Sequence, residues 1–167
     1  MIIKRYEKII KRKIRESKLF KKNNIVNIIG IESNTLKFFL EIINKINNKF
    51  NLNLQINIEV YKNLEDININ NKERIVLVIP IEGIFFYFLL YFLEKKQNLP
   101  INEKSNKYFN ITYYVSEYHL SKSLNKIPKL NTNKKEILDF IYSIISRNEK
   151  YSSSLARSIN YLIKFFR

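Results

Sequence analysis

Residues 74–80, with the sequence RIVLVIP, decide the fold class. Five consecutive apolar residues stand between Arg74 and Pro80 with no polar residue among them, which is typical of a strand buried on both faces of a parallel sheet. A second apolar run, residues 24–30 (NIVNIIG), ends in one of only two glycines and precedes a helix cap at Ser33. Two apolar strands, each followed by a helical pattern, predict an α/β domain.

Two further strands are predicted, and their direction decides the architecture. A short strand is expected at residues 110–115. Alternation in residues 52–60 places on one face of a strand Leu52, Leu54, Ile56, Ile58 and Val60. The favoured architecture is a Rossmann-like, mostly parallel sheet with helices on both faces. An antiparallel βαββαβ sandwich of the ferredoxin type fits the same order of elements.

The helices follow from apolar residues at three- and four-residue spacing. We expect a single domain over residues 1–167, with a basic N-terminal helix in 1–22 and a C-terminal helical pair in 133–167. The aromatic run at residues 81–93 is shorter than the roughly 20 residues that span a bilayer, so it predicts a core helix and no membrane partner. Helices are predicted at residues 2–20, 36–51, 84–95, 116–126, 134–146 and 153–166.

The composition favours a polyanionic partner. The 167 residues include 30 Lys and Arg against 15 Asp and Glu, a formal net charge of +15, and nucleic acid is the first candidate partner. An AT-rich genome produces a similar bias, because Asn, Ile, Lys, Tyr and Phe have AT-rich codons. The chain has no cysteine and one histidine, His119, so zinc fingers, iron–sulfur clusters and thiol nucleophiles are excluded. A reducing, cytoplasmic location is expected.

Most candidate RNA-binding residues lie on or beside the first helix. Cations on one helix neutralise phosphates, and each contact adds to the salt dependence of binding. A solvated helix face explains the same pattern and stays open as an alternative. The candidates are Lys4, Arg5, Lys8, Lys11, Arg12, Lys13, Arg15, Lys18, Lys21, Lys22 and, near the C-terminus, Arg157.

The turn after the first strand is the candidate nucleotide loop. Gly30 and Ser33 join a buried strand to a helix N-terminus, the usual place for a phosphate in an α/β fold. An ordinary strand-to-helix turn with a serine cap explains the same residues. The signal is weak because only one glycine is present.

The order of several motifs resembles the cytoplasmic tRNA 2-thiolation proteins. Residues 6–20 resemble the basic lead-in helix of that family, which ends in a Lys-Leu-Phe-like step. Residues 25–36 occupy the place of the first strand and the Ser-Gly-Gly-x-Asp-Ser PP-loop, of which Gly30 and Ser33 remain. Residues 79–93 are similar to the strand and helix that carry the Asp-Asp/Ala-Glu-x-x-Leu pattern.

The C-terminal half continues the resemblance. Residues 111–120 are similar to the segment Arg-Pro-Leu-Arg-x-x-x-Glu-x-Glu, with Glu117 as the clearest match. Residues 152–158 resemble the Pro-Ser-Thr-Val-Ser-x-x-x-Arg-Thr tail of the second, non-catalytic subunit, with Arg157 and Ser158 as the matching pair. The resemblance therefore covers most of the chain in order.

The resemblance implies a degenerate PP-loop ATP-pyrophosphatase domain. Sulfur transfer in the catalytic subunit needs cysteines, and this chain has none. Ile31 and Glu32 place side chains where a phosphate-binding loop is open. The implied protein has no cofactor and performs no catalysis. It gives RNA surface and support to a catalytic thiouridylase subunit that modifies the wobble uridine of tRNA. The alternative function is a structural ribosomal protein with a ferredoxin-like fold.

Overall fold

The computed structural model describes residues 1–69, 74–95 and 99–164. Within these ranges the chain forms four strands and six α-helices. The strands are β1 (Ile25–Ile31), β2 (Gln55–Tyr61), β3 (Ile75–Val78) and β4 (Tyr108–Asn110). The helices are α1 (Ile2–Ser17), α2 (Asn34–Phe50), α3 (Ile81–Glu94), α4 (Glu117–Ser123), α5 (Lys135–Ile145) and α6 (Glu149–Leu162). A short 3₁₀ turn, Leu64–Asp66, follows β2.

The sheet is parallel throughout, in the order β2-β1-β3-β4. The two apolar runs are adjacent central strands, with Asn27 of β1 opposite Ile75 of β3. This arrangement confirms the Rossmann-like prediction. It is incompatible with the antiparallel ferredoxin-type sandwich that the sequence left open.

Helices cover the sheet on both faces. Alternate residues of β3 point to opposite sides: Ile75 and Leu77 pack with α3, α5 and α6, and Val76 and Val78 pack with α1, α2 and α4. Every residue of β3 is buried. The uninterrupted apolar pattern of this strand is thus explained, because neither face is exposed to water.

Two strand predictions need correction. The last strand ends at Asn110, and residues 111–114 form a turn. The Asn110 side chain starts that turn: its Oδ1 accepts the Thr112 N–H at 3.2 Å, and its Nδ2 donates to the Ile79 carbonyl at 3.0 Å. The strand predicted at residues 52–60 begins only at Gln55, so Leu52 and Leu54 precede it. Because β2 is an edge strand, Ile58 is 45 % and Val60 50 % exposed.

Helix boundaries also differ from the predictions. The first helix ends at Ser17 because Lys18 adopts the left-handed conformation (φ 56°). Helix α3 begins at Ile81, three residues early. Helix α6 begins at Glu149, where Asn148 accepts the Lys150 N–H at 2.9 Å and acts as the cap. The predicted end of that helix and of the C-terminal pair, residues 165–167, lies outside the described residues.

Candidate functional site

The predicted nucleotide loop lies at the carboxyl edge of the parallel sheet. Ser33 caps α2: its Oγ accepts the Leu36 N–H at 3.0 Å and its hydroxyl donates to the Ile31 carbonyl at 3.0 Å. Gly30 allows strand and helix to approach, since a Cβ there would lie 2.8 Å from Leu36 Cδ1. Both residues therefore have a structural role in the strand-to-helix turn.

The N-terminus of α2 already holds an anion, the carboxylate of Glu117. Glu117 is fully buried. Its Oε1 accepts the Asn34 N–H at 3.0 Å, and its Oε2 accepts the Thr35 N–H at 2.8 Å and the Thr35 hydroxyl at 2.7 Å. These first N–H groups of a helix are the ones a phosphate uses. A side chain 82 residues away in sequence takes that place.

The segment after α4 closes the same turn from outside. Lys129 donates its backbone N–H to Glu117 Oε1 at 3.1 Å. Asn34 donates its side-chain amide to the Ile127 carbonyl at 2.8 Å and to Ser121 Oγ at 2.9 Å. A nucleotide phosphate does not fit here, because the donors that would bind it are satisfied by the protein and the approach is covered.

A second buried carboxylate supports the first. Glu82, in the first turn of α3, is fully buried. It accepts the Ser116 hydroxyl at 2.6 Å and the N–H groups of Glu117 and Tyr118 at 2.9 and 3.1 Å. Burial raises the pKa of Glu82 to about 7, although these hydrogen bonds oppose the shift. Glu82 thus holds the start of α4, and α4 presents Glu117 to α2.

The candidate cations of α1 divide into separate groups. At 100° per residue, four of them lie within about 60° of arc on the side opposite the buried Tyr6 and Ile10. We call this set the α1 crest; it consists of Lys4, Lys8, Lys11 and Arg15. All four are exposed, and Lys11 pairs with Glu7 at 2.5 Å. Within the described part of the chain, the other three form no ion pair within 4 Å, although the Lys13 hydrogen bond and, to a smaller extent, the nearby Arg15 lower the pKa of the Glu16 carboxyl group.

Two candidates flank the crest and are tied to acids. Arg5 contacts Glu149 of α6 at 2.7 Å, and Arg12 contacts Glu16 at 3.5 Å. Both arginines remain exposed. The predicted cations of the α1–β1 connection are also exposed; they are Lys18, Lys21 and Lys22.

Lys13 does not belong to the exposed set. Its side chain is 9 % exposed and its Nζ donates to Glu16 Oε2 at 2.7 Å and to Glu103. The same Nζ lies 5.3 Å from the ring centroid of Tyr114. The helical spacing indicates this burial, because Lys13 follows Tyr6 by seven residues and Ile10 by three and so lies on the buried face. Its ammonium group is inside the fold and is not available to RNA.

Arg157 lies on the exposed side of α6. Its Nε donates to the Ser153 carbonyl at 3.3 Å. Burial and Glu103 raise the pKa of Tyr114, whereas Arg12 and Arg157 oppose that shift. Arg157 therefore remains an exposed candidate cation on α6.

Comparison of the chain with known protein families, with curated proteins and with solved structures found no match. The resemblance to tRNA 2-thiolation proteins therefore stays a prediction from the order of motifs. What the molecule does has to be argued from its own residues.

The single histidine, His119, has a structural role. The ring Nε2 of His119 lies 2.9 Å from the Ile145 carbonyl, and burial lowers the pKa of this histidine, so it links α4 to α5. The described residues contain no group of three or more His, Cys, Asp or Glu that could hold a metal. No helix in these ranges is long and apolar enough to cross a membrane.

Proposed function

We propose that the chain is a non-catalytic RNA-binding and scaffolding subunit, and that it contacts RNA phosphates through the α1 crest. The observation that carries the proposal is the contrast between two sites for anions. The anion site at the start of α2 is filled by Glu117. The four cations of the crest are exposed, and Lys4, Lys8 and Arg15 form no ion pair within the described residues, so they are open to an external polyanion.

The geometry of α1 suits a phosphate backbone. From Lys4 to Arg15 the crest extends about 16 Å, with a cation at each turn. The opposite face of the helix is anchored in the core by Tyr6, Ile10 and Ile14. A row of cations on an anchored helix can neutralise successive phosphates with little loss of conformational entropy, because the helix is already ordered. Such contacts carry no sequence preference.

The finer proposal names the RNA and the partner. The motif order resembles the second subunit of the tRNA 2-thiolation complex, so we propose tRNA as the RNA and a cysteine-bearing catalytic thiouridylase subunit as the partner. Two features support this role. The chain has no cysteine to carry sulfur, and the turn that would bind a nucleotide is closed by Glu117.

RNA binding is tested with a variant that removes the charge of the whole crest. The substitutions Lys4→Gln, Lys8→Gln, Lys11→Gln and Arg15→Gln should weaken tRNA binding at least tenfold and reduce the slope of log affinity against log salt by about three to four. The matched control removes four exposed lysines elsewhere: Lys37→Gln, Lys45→Gln, Lys62→Gln and Lys135→Gln. Equal losses in the two variants would mean that only net charge matters, and the crest proposal would fail.

The finer proposal is tested by co-purification and by tRNA analysis. The tagged chain should capture a cysteine-bearing PP-loop protein, and loss of the chain should abolish 2-thiolation of the wobble uridine. Unchanged thiolation contradicts the finer proposal but leaves RNA binding intact. Co-sedimentation with ribosomal subunits, without that partner, would instead support the structural ribosomal function.

A further inference from the structure

A cleft of about 600 Å³ lies between the ends of α1 and α6, beside β4 and the residues 103–105 that pair with its edge. Glu16 of α1, Phe109 of β4 and Asn160 of α6 line it, together with residues 102–104 from the loop before β4. This volume is within the range of about 300–1,000 Å³ that is usual for small-molecule sites. The cleft lies at the end of α1, where its lining residue Glu16 directly follows Arg15 of the crest.

The lining combines an aromatic ring, amides and paired carboxylates. Phe109 supplies a partly exposed ring, and Asn102 and Asn160 supply amide groups. The carboxylates of Glu16 and Glu103 are held in place by the buried Lys13. An aromatic face with amide and carboxylate groups around it is the combination with which proteins stack and hydrogen-bond an unpaired nucleobase.

The charge around the cleft selects the class of ligand. Two carboxylates, Glu16 and Glu103, are outnumbered by four cations: Lys104 and Lys164 in the lining, and Lys13 and Arg12 paired with the acids. The excess of positive charge disfavours a cationic side chain from another protein. It favours a ligand with an uncharged ring and an attached negative charge, which describes a nucleotide.

We propose that this cleft binds a single unpaired nucleotide of the RNA, with the base against Phe109 and the phosphate near Lys104 and Lys164. The inference rests on the proposed RNA-binding function and adds the substrate class: RNA with an unpaired segment beside a region held by the α1 crest. Helix α1 connects the two sites, because Arg12 at the flank of the crest pairs with Glu16 at the cleft.

The test compares a single-stranded 12-nucleotide RNA with a 12-base-pair RNA duplex, each labelled and titrated with the full chain. Asn160→Ala and Phe109→Leu should each weaken binding of the single strand about fivefold or more, as expected for loss of a base contact. Both variants should bind the duplex within about twofold of the wild type. The matched control is Asn44→Ala on the exposed side of α2, which should change neither affinity.

Direct occupation of the cleft is measured with a nucleoside monophosphate on the wild-type chain. Amide resonances of residues 103, 109 and 160 should shift in NMR spectra, and those of α2 should not, which keeps the proposal testable even if Phe109→Leu folds poorly. The proposal is overturned if Asn160→Ala binds both RNAs like the wild type, or if the monophosphate shifts no resonance of the cleft. Duplex binding that depends on the crest would then leave the proposed function standing. If the wild type binds neither RNA, both proposals fail.

Discussion

Ionisable side chains have opposite environments at the carboxyl edge of the sheet and on the outer face of α1. At the sheet edge, the buried carboxylates of Glu82 and Glu117 are satisfied by N–H and hydroxyl groups of the same chain. On α1, the crest faces solvent. The difference separates two roles of ionisable residues: a buried group whose hydrogen bonds are satisfied by the same chain belongs to the architecture, whereas an exposed row of like charges is available to a partner.

The largest effect is expected from removing Glu117, the internal anion at the start of α2. Glu117→Ala leaves the Asn34 and Thr35 N–H groups and the Lys129 N–H without their acceptor in a buried site. We expect the free energy of unfolding to fall by about 3 kcal/mol or more, as measured by urea denaturation at pH 7.

Two controls separate loss of the anion from loss of a charge. Glu136→Ala, in the exposed first turn of α5, should cost less than about 0.5 kcal/mol. Sulfate should stabilise Glu117→Ala more than it stabilises the wild type, because an anion can then enter the start of α2. Equal stability of Glu117→Ala and the wild type would show that the carboxylate is not a structural anion.

The second prediction concerns the pH dependence that Glu82 adds at the same edge. Its folded-state pKa, raised by burial from 4.5 to about 7, means that the folded chain holds a proton that the unfolded chain releases between these values. The stabilisation of the folded state that Glu82 gains from this proton is fully present below about pH 4.5 and is lost as the pH rises through about 7. From pH 5 to pH 8, the wild type should lose about 2 kcal/mol of unfolding free energy relative to Glu82→Gln.

This difference isolates one group, since the titration of His119 is common to both proteins and cancels. Glu136→Gln serves as the exposed control and should follow the wild-type pH profile. Parallel profiles of Glu82→Gln and the wild type would exclude Glu82 as the source of the pH dependence.

The third prediction compares a buried and an exposed lysine of the same helix, Lys13 and Lys8 of α1. Lys13→Met removes the buried partner of Glu16 and Glu103 and should cost about 1–2 kcal/mol of stability, with the affinity for the 12-base-pair RNA duplex unchanged. Lys8→Met should do the reverse: stability within about 0.5 kcal/mol of the wild type and weaker duplex binding at low salt. The free energy of unfolding and the RNA affinity of both variants are measured by denaturation and by titration. If both lysines changed the same quantity, the distinction between a buried and an exposed cation on α1 would be contradicted.

The smallest expected effect is at the flank of the crest. Arg5 and Glu149 form an ion pair with side chains 45 % and 23 % exposed, and such pairs contribute about 0.2–1 kcal/mol. Arg5→Gln should therefore lower the free energy of unfolding, measured by urea denaturation, by less than about 1 kcal/mol. It should also reduce tRNA affinity less than Lys4→Gln, because Glu149 already neutralises Arg5; a larger loss would extend the RNA surface beyond the crest.

Local patterns were sufficient where burial follows from periodicity. Five apolar residues in succession in residues 75–79 predict a strand covered on both faces. The helices after β1 and β3 favour parallel pairing, but the same order of elements also fits an antiparallel ferredoxin-type sandwich, which only the observed sheet excludes. The apolar spacing of α1 predicts its outer cationic face. The same spacing places Lys13 inside, so its inclusion among RNA-binding candidates was wrong for a reason that the pattern contains.

Local sequence patterns did not predict the contacts between residues that are far apart in the chain. The strand proposed at residues 110–115 stops at Asn110 because that side chain binds the backbone of Ile79, which is 31 residues earlier. The alternation of β2 predicts a strand but not its exposure, because the position of a strand at the edge depends on the order of the whole sheet.

The sequence by itself determined the α/β class, the amphipathic first helix, and the absence of thiol chemistry. The tertiary structure alone decided that Glu117 fills the start of α2, that Lys13 is buried, and that α1 and α6 enclose a cleft. The physical reason is distance along the chain. Helical and strand periodicity depends on neighbours within a few residues, whereas a buried charge is satisfied by groups that only folding brings together.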